Sequence, residues 1–198
     1  LQYRHPIGSA IGISKNRNAD VAWIFTDSLQ KFSFAMQLPG KAVKDSISNL
    51  DLKRLYSILY PDPEPIAPPK FTFEKWKMKT AIGGGPVLVQ AGKIKITNEE
   101  ELKFTGKAIN DKHPRTCMGY TGDGYLIIMA IQGRLPGIAE GATLEQEAKL
   151  LKDLGCIEAL NLDGGGSSCM LVNGKETITP SSKGVQRPVP AVFIIAHQ

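Results

Sequence analysis

Glycine placement limits this chain more than any other feature. Of its 20 glycines, 17 fall from Gly83 onward, where they separate short apolar runs. That spacing leaves no room for long helices. It demands tight turns between short elements, because glycine enters left-handed turns without a side-chain clash. Proline reinforces the pattern with 13 residues, five of them between Pro61 and Pro69. In other respects the chain is ordinary: 198 residues, 42% hydrophobic, 22% charged and a mean hydropathy of −0.13. Such a composition supports one sizeable core and excludes a disordered or fibrous chain.

No run approaches the eighteen or so apolar residues that a membrane span needs, and no charged-then-apolar signal segment opens the sequence. The chain begins at Leu1 rather than Met, which suits a processed product or a chain parted from its targeting segment. Cys117, Cys156 and Cys169 are too few for a disulfide scaffold, and none has metal-site spacing. They are expected as free, mostly buried thiols, although spacing alone does not exclude one disulfide. The net charge of +5 is confined to residues 1–82, which hold 12 Lys/Arg and 7 Asp/Glu; residues 83–198 hold 12 of each. No nucleic-acid motif or aromatic platform accompanies the excess, so an anionic substrate or plain solubility accounts for it better than nucleic acid.

Ser9–Ser14, Val21–Thr26 and Lys31–Met36 are expected as antiparallel strands. Leu52, Leu55, Tyr56 and Leu59 recur at helical spacing, which predicts a helix over Leu50–Tyr60 with Asn49 as N-cap. The prolines of 61–69 then enforce an extended connector. Lys75, Lys77 and Lys79 alternate with Trp76 and Met78, so a strand there presents lysines on one face and apolar groups on the other.

Beyond Gly83, Pro86–Gln90 with Lys93–Thr97, and Thr116–Thr121 with Tyr125–Ile131, are expected as hairpins. The run from Tyr125 to Ile131, apolar at every position but Tyr125, predicts a central strand covered on both faces. Thr143 and Gln146 form a capping box, Leu144, Ala148, Leu151 and Leu154 the buried stripe of the helix, and Gly155 its stop. Cys156–Asp163 and Pro190–Ala196 are the last strands. Hairpins with one good helix predict an α+β fold: a single domain over 1–198 with mostly antiparallel or mixed sheet and a few helices.

The richest chemistry lies in Asn161-Leu162-Asp163-Gly164-Gly165-Gly166-Ser167-Ser168. Strand alternation puts Asn161 and Asp163 on one face and the leucines on the other, just before three glycines whose amides lack shielding side chains. Such a turn suits an anion nest, with Ser167 and Ser168 adding hydroxyls; the competing interpretation is a tight turn in which Asp163 caps its own backbone. No lysine follows the glycines and GxGxxG is absent, which excludes the common nucleotide loops. Arg115 in His113-Pro114-Arg115-Thr116, Arg134 in Gln132-Gly133-Arg134, and Arg187 offer planar forks for a phosphate or carboxylate, although a lone loop arginine is more often a solvated charge. His113 is a candidate base or a surface imidazole.

The ordered set GGGPVLV, HPRT, a glycine hairpin, a strand ending in QGR, TLEQEAKLLKDLGCIEALNLDGGGSS and RPVPAV resembles the phosphodiester glycosidase family. The resemblance covers Gly83–Ala196 and leaves 1–82 as a divergent first part. Gln132 stands where members of that family carry aspartate. The resemblance implies hydrolysis of the sugar C–O bond of a sugar-1-phosphodiester, for example one bearing N-acetylglucosamine, in a secreted, periplasmic or cell-surface protein. Phosphate leaves as a weak base, so arginines and amides can carry the burden that a general acid carries in other glycosidases. The implied assignment makes Asp163, Arg115 and Arg134 catalytic, with His113, Thr116, Gln132, Asn161, Gly164, Gly165, Gly166, Ser167, Ser168 and Arg187 binding substrate. No cofactor or metal is required, since one carboxylate without histidines is a poor ligand set. Two other readings are a noncatalytic binder of phosphorylated or anionic glycans, and an anionic-polymer binder working through Lys75, Lys77 and Lys79.

Overall fold

The computed structural model describes residues 8–25, 32–37, 74–101, 103–104 and 110–196. The expected helix over Leu50–Tyr60 and the connector at 61–69 lie outside these residues.

Two five-stranded sheets dominate. β1 (Gly8–Ile13), β2 (Ala19–Phe25), β3 (Ser33–Met36), β4 (Glu74–Trp76) and β5 (Thr80–Gly84) form the first, in the order β4-β3-β2-β1-β5. The second contains β6 (Val87–Gln90), β7 (Lys93–Ile94), β8 (Arg115–Thr121), β9 (Leu126–Ile131) and β10 (Cys156–Asn161), in the order β7-β6-β10-β8-β9. Every ladder in both sheets is antiparallel. A four-residue helix α1 (Asn98–Glu101), the longer α2 (Leu144–Asp153) and a small hairpin of β11 (Leu171–Val172) and β12 (Lys175–Glu176) complete the described elements. The α+β expectation holds.

Side-chain alternation sorts the apolar residues into three layers. Ile11, Val21, Trp23 and Met36 from the first sheet meet Val87, Met118 and Leu160 from the second. On the far side of the second sheet, Leu88, Val89, Cys117, Cys156 and Ala159 pack under Leu144, Ala148 and Leu151 of α2. The outer face of the first sheet buries small residues, Ala10, Ala22 and Ala35, and Trp76 with Met78 and Ile24 packs over them. Gly12 belongs to that surface, since a Cβ there would lie 2.4 Å from Met78 and 2.7 Å from Trp76. The three cysteines are free, two of them buried.

The capping box forms as expected: Gln146 N–H donates to Thr143 Oγ1 and Thr143 N–H to Gln146 Oε1. Gly155 takes the left-handed conformation at φ 85° that ends the helix. The buried stripe differs at one position. Leu154 is 51% exposed, and Glu147 is fully buried in its place.

Three strand expectations are corrected. β9 is an edge strand, half-buried at all six positions, because it has a sheet neighbour on one side alone. β10 ends at Asn161, two residues before Asp163. Pro190–Ala196 forms no strand, as no described strand pairs with it, and Val192, Ile194 and Ile195 are exposed.

Candidate functional site

Four loops meet where β8 and β10 of the second sheet end. His113 and Ala142 form an isolated antiparallel bridge, exchanging both backbone hydrogen bonds. Gly141 fits against it because a Cβ would lie 2.4 Å from the His113 backbone, and Gly133 fits because a Cβ would lie 2.7 Å from Pro114 N. The Asp163–Ser168 turn docks on this platform: Gly165 N–H donates to Pro114 O at 2.8 Å, and Leu162 N–H to Thr116 O at 2.8 Å. Gly165–Ser167 then forms a single 3-10 turn.

Of the three glycine amides expected as a nest, Gly165 N–H is committed to Pro114 O, while Gly164 and Gly166 N–H have no backbone partner among the described residues; the following Ser167 and Ser168 amides donate to the Gly164 and Gly165 carbonyls. The glycines also supply room. The Arg134 guanidinium lies over Gly165, where a Cβ would be 3.2 Å from both terminal nitrogens, and Arg187 packs against Gly166 at 3.8 Å. Arg187 also donates to Ser167 Oγ and stands 3.7 Å from the Asp163 carboxylate. Asp163 remains 72% exposed at its side chain and Arg187 53%. Arg134 has no ion pair or side-chain hydrogen bond among the described residues, and it holds a positive φ of 59°.

Arg115 goes elsewhere, which corrects its expected place among the anion ligands. It is 2% exposed, donates through Nε to Ala142 O at 3.0 Å, and stacks 5.4 Å from the Phe104 ring on the α2 side of the sheet. The reason is strand alternation: Arg115 shares a face with Cys117, which packs under α2. The Arg115 charge is felt there by Glu147, whose carboxyl is pushed up to about 7 by burial even though that charge opposes the rise; neither Glu147 oxygen has a hydrogen-bond partner among the described residues. Burial lowers Arg115 in turn.

Asn161 is likewise turned inward. It is 1% exposed, and its Nδ2 donates to Gly85 O and Leu162 O, so it does not share an open face with Asp163. The alternation that paired them ends with β10. Gln132 accepts from Thr179 N–H at 2.6 Å and so ties the end of β9 to the loop after β12. Among the described residues the Thr116 hydroxyl and the Asn161 Oδ1 have no partner, and neither does the fully buried Ser168 hydroxyl. His113 is kept below its ordinary value, first by burial and then by the Arg115 and Arg134 charges, so its imidazole is neutral at pH 7.

The turn thus brings together Asp163, Gly164–Ser167, Arg134 and Arg187. Ser182 against Gly166, the Phe104 ring beside Arg115 and the burial of Glu147 were not singled out from the sequence. Only Ser182 carried a signal, standing in a Ser-Ser-Lys-Gly turn just before Arg187.

The α+β fold is shared with solved proteins. The zebrafish N-acetylglucosamine-1-phosphodiester alpha-N-acetylglucosaminidase catalytic domain, auto-inhibited by pro-peptide, superposes with a TM-score of 0.51 at 23% identity, over 91% of this chain and 48% of that one. A protein of Burkholderia pseudomallei K96243 gives 0.53 at 15% identity, over 92% and 56%. The phosphodiester glycosidase family model matches residues 44–196, and the chain belongs to that family. The match begins well before Gly83 and so takes in part of the stretch that reads as divergent in the sequence. Among curated relatives, SPbeta prophage-derived uncharacterized protein YomE of Bacillus subtilis is 39% identical over 45% of this chain and 14% of its own length. The Mus musculus N-acetylglucosamine-1-phosphodiester alpha-N-acetylglucosaminidase is 31% identical over 48% of the chain and 19% of its length. The matched region therefore spans less than a fifth of these two curated relatives, and the chain covers about half of each of the two solved structures. Among the described residues no helix is long and apolar enough to cross a membrane.

Proposed function

We propose that this chain hydrolyses the C–O bond between a sugar and the phosphate of a sugar-1-phosphodiester. The observation that carries the reading is Arg134, a guanidinium laid over Gly165 with no carboxylate partner among the described residues, beside Arg187 on the same turn. Two guanidinium forks about one glycine turn suit a phosphate diester, and family membership supplies the sugar.

In this scheme Arg134 and Arg187 hold the phosphate. Asp163, in contact with Arg187 and open to solvent, approaches the sugar from the anomeric side, since a direct carboxylate–phosphate contact would be repulsive. Water attacks the anomeric carbon and its oxygen becomes the sugar hydroxyl. The C–O bond breaks with its electron pair passing to the phosphate, and the water proton goes to Asp163. The leaving phosphomonoester is a weak base stabilised by both guanidiniums, so no second carboxylic acid is needed. Arg115 acts one step back: its bond to Ala142 O supports the His113–Ala142 bridge on which the turn rests.

The test is incubation with an N-acetylglucosaminyl-1-phosphodiester, following the anomeric proton by NMR. Free sugar and phosphomonoester should appear. Asp163→Asn and Arg134→Ala should each slow turnover by about 100-fold or more, the scale of one lost charge-stabilising group. An Asp163→Asn protein as fast as wild type removes Asp163 from the chemistry, and saturable binding without turnover makes the chain a noncatalytic glycan-phosphate binder.

A further inference from the structure

On the opposite side of the first sheet, the segment from β4 to β5 borders an open concavity of about 290 Å³ lined by Phe32, Lys75, Trp76, Lys77, Lys79 and Thr80, among others. No acidic side chain is among the described residues that line it. Trp76 and Met78 turn inward onto Ala10, Ala22 and Ala35, which leaves the three lysines exposed. Asp20, behind Trp76, is already engaged, accepting from Trp76 Nε1 at 2.6 Å and from Gln37 Nε2 at 3.0 Å.

From this geometry we infer that the concavity is a second binding site, separate from the glycine turn, that holds a phosphorylated or sulfated polysaccharide. Three ammonium groups within five residues, with no acidic side chain among the described lining residues, attract a polyanion. Among the described residues, the aromatic groups weigh against nucleic acid. Lys75 Nζ covers the Phe32 ring at 3.6 Å, and Trp76 is 8% exposed with its indole nitrogen bonded, so neither offers a face on which a base could stack. No arginine is among the described residues lining the site to fork onto base edges. Point charges without a stacking platform suit a chain of sugars that bears anions. The inference does not depend on the catalytic reading, since it uses none of the residues at the glycine turn.

The test uses dextran sulfate as the probe and unsulfated dextran as its control, in titration calorimetry at about 50 mM and about 200 mM salt. Wild type should bind dextran sulfate, weaken at least about tenfold across that range, and ignore unsulfated dextran. Lys75→Ala/Lys77→Ala/Lys79→Ala should bind about tenfold or more weakly at low salt with a shallower salt slope, while the triple arginine variant stays within about threefold. Circular dichroism checks the fold. If the triple alanine variant does not fold, Lys77→Gln alone is expected to bind about threefold more weakly. Asp163→Asn should bind dextran sulfate as wild type does, whatever its turnover. Unchanged affinity in a folded triple alanine variant, or equal binding of unsulfated dextran, overturns the inference. Tighter binding of single-stranded RNA with the same lysine dependence overturns it in favour of nucleic acid.

Discussion

Arg115 and Arg134 look alike in the sequence, one beginning a strand and the other following one, yet folding separates them. Arg115 falls on the strand face that meets α2 and is buried beside the Phe104 ring; Arg134 follows β9, leaves the sheet and lies over Gly165. The sequence could show that each arginine stood near a strand end. It could not show which face Arg115 would take, because that depends on where α2 packs. The triple glycine was legible as a special turn, but the room it leaves for guanidiniums was not, because that depends on arginines brought from other loops. Gly165 sits at the centre of that difference, with a φ of 62°. Gly165→Ala should lower stability by about 1–2 kcal/mol from the left-handed conformation alone, or roughly 2–8 °C in Tm for a chain this size. Its new methyl, 3.2 Å from the Arg134 nitrogens, should also displace that side chain. Thermal melts and phosphodiester turnover should therefore both fall; turnover preserved at wild-type level would mean that Arg134 does not act from above the glycine.

Among the elements, α2 was the most legible because its signals are local. Thr143, Gln146 and Gly155 define its ends through backbone geometry within one turn, and all three behave as expected. Thr143→Ala should cost about 1 kcal/mol, seen in urea unfolding as a lower midpoint with unchanged slope. A cost near zero would show that water replaces the cap. The stripe was less secure. Periodicity placed Leu154 inside, but the helix ends at Asp153 and Leu154 serves as its C-cap, while Glu147 enters the core opposite Arg115. The β9 prediction failed for a related reason. An apolar run identifies a strand but cannot say which neighbours the sheet will supply, and β9 received one.

At the scale of the whole molecule, two buried carboxyls stand out. Glu147 of α2 is fully buried within the field of the Arg115 charge, and Glu158 joins the two sheets, accepting from Val21 N–H at 3.0 Å on one side and Ala91 N–H at 2.9 Å on the other. Nothing local marks either residue for burial, since what surrounds each comes from distant chain. Burial pushes both up to about 7 from an ordinary value of 4.5, against the opposing pull of Arg115 on Glu147 and of the two amide donors on Glu158. Between those two values the folded protein holds protons that the unfolded chain has released, so stability is greatest below about pH 4.5 with respect to these groups and falls as pH rises to about 7. Each contributes on the order of 3 kcal/mol to that fall if the shift is fully expressed. Urea unfolding at a series of pH values should show wild type losing stability from about pH 5 to about pH 8. Glu147→Gln should flatten that slope by close to one proton. Glu158→Gln should flatten it by a similar amount and still fold, because the substituted carboxamide keeps an oxygen for one of the two amides. If neither substitution changes the slope, the carboxyls are ionised in the folded protein throughout, and Arg115 together with the Val21 and Ala91 amides outweighs the burial of both.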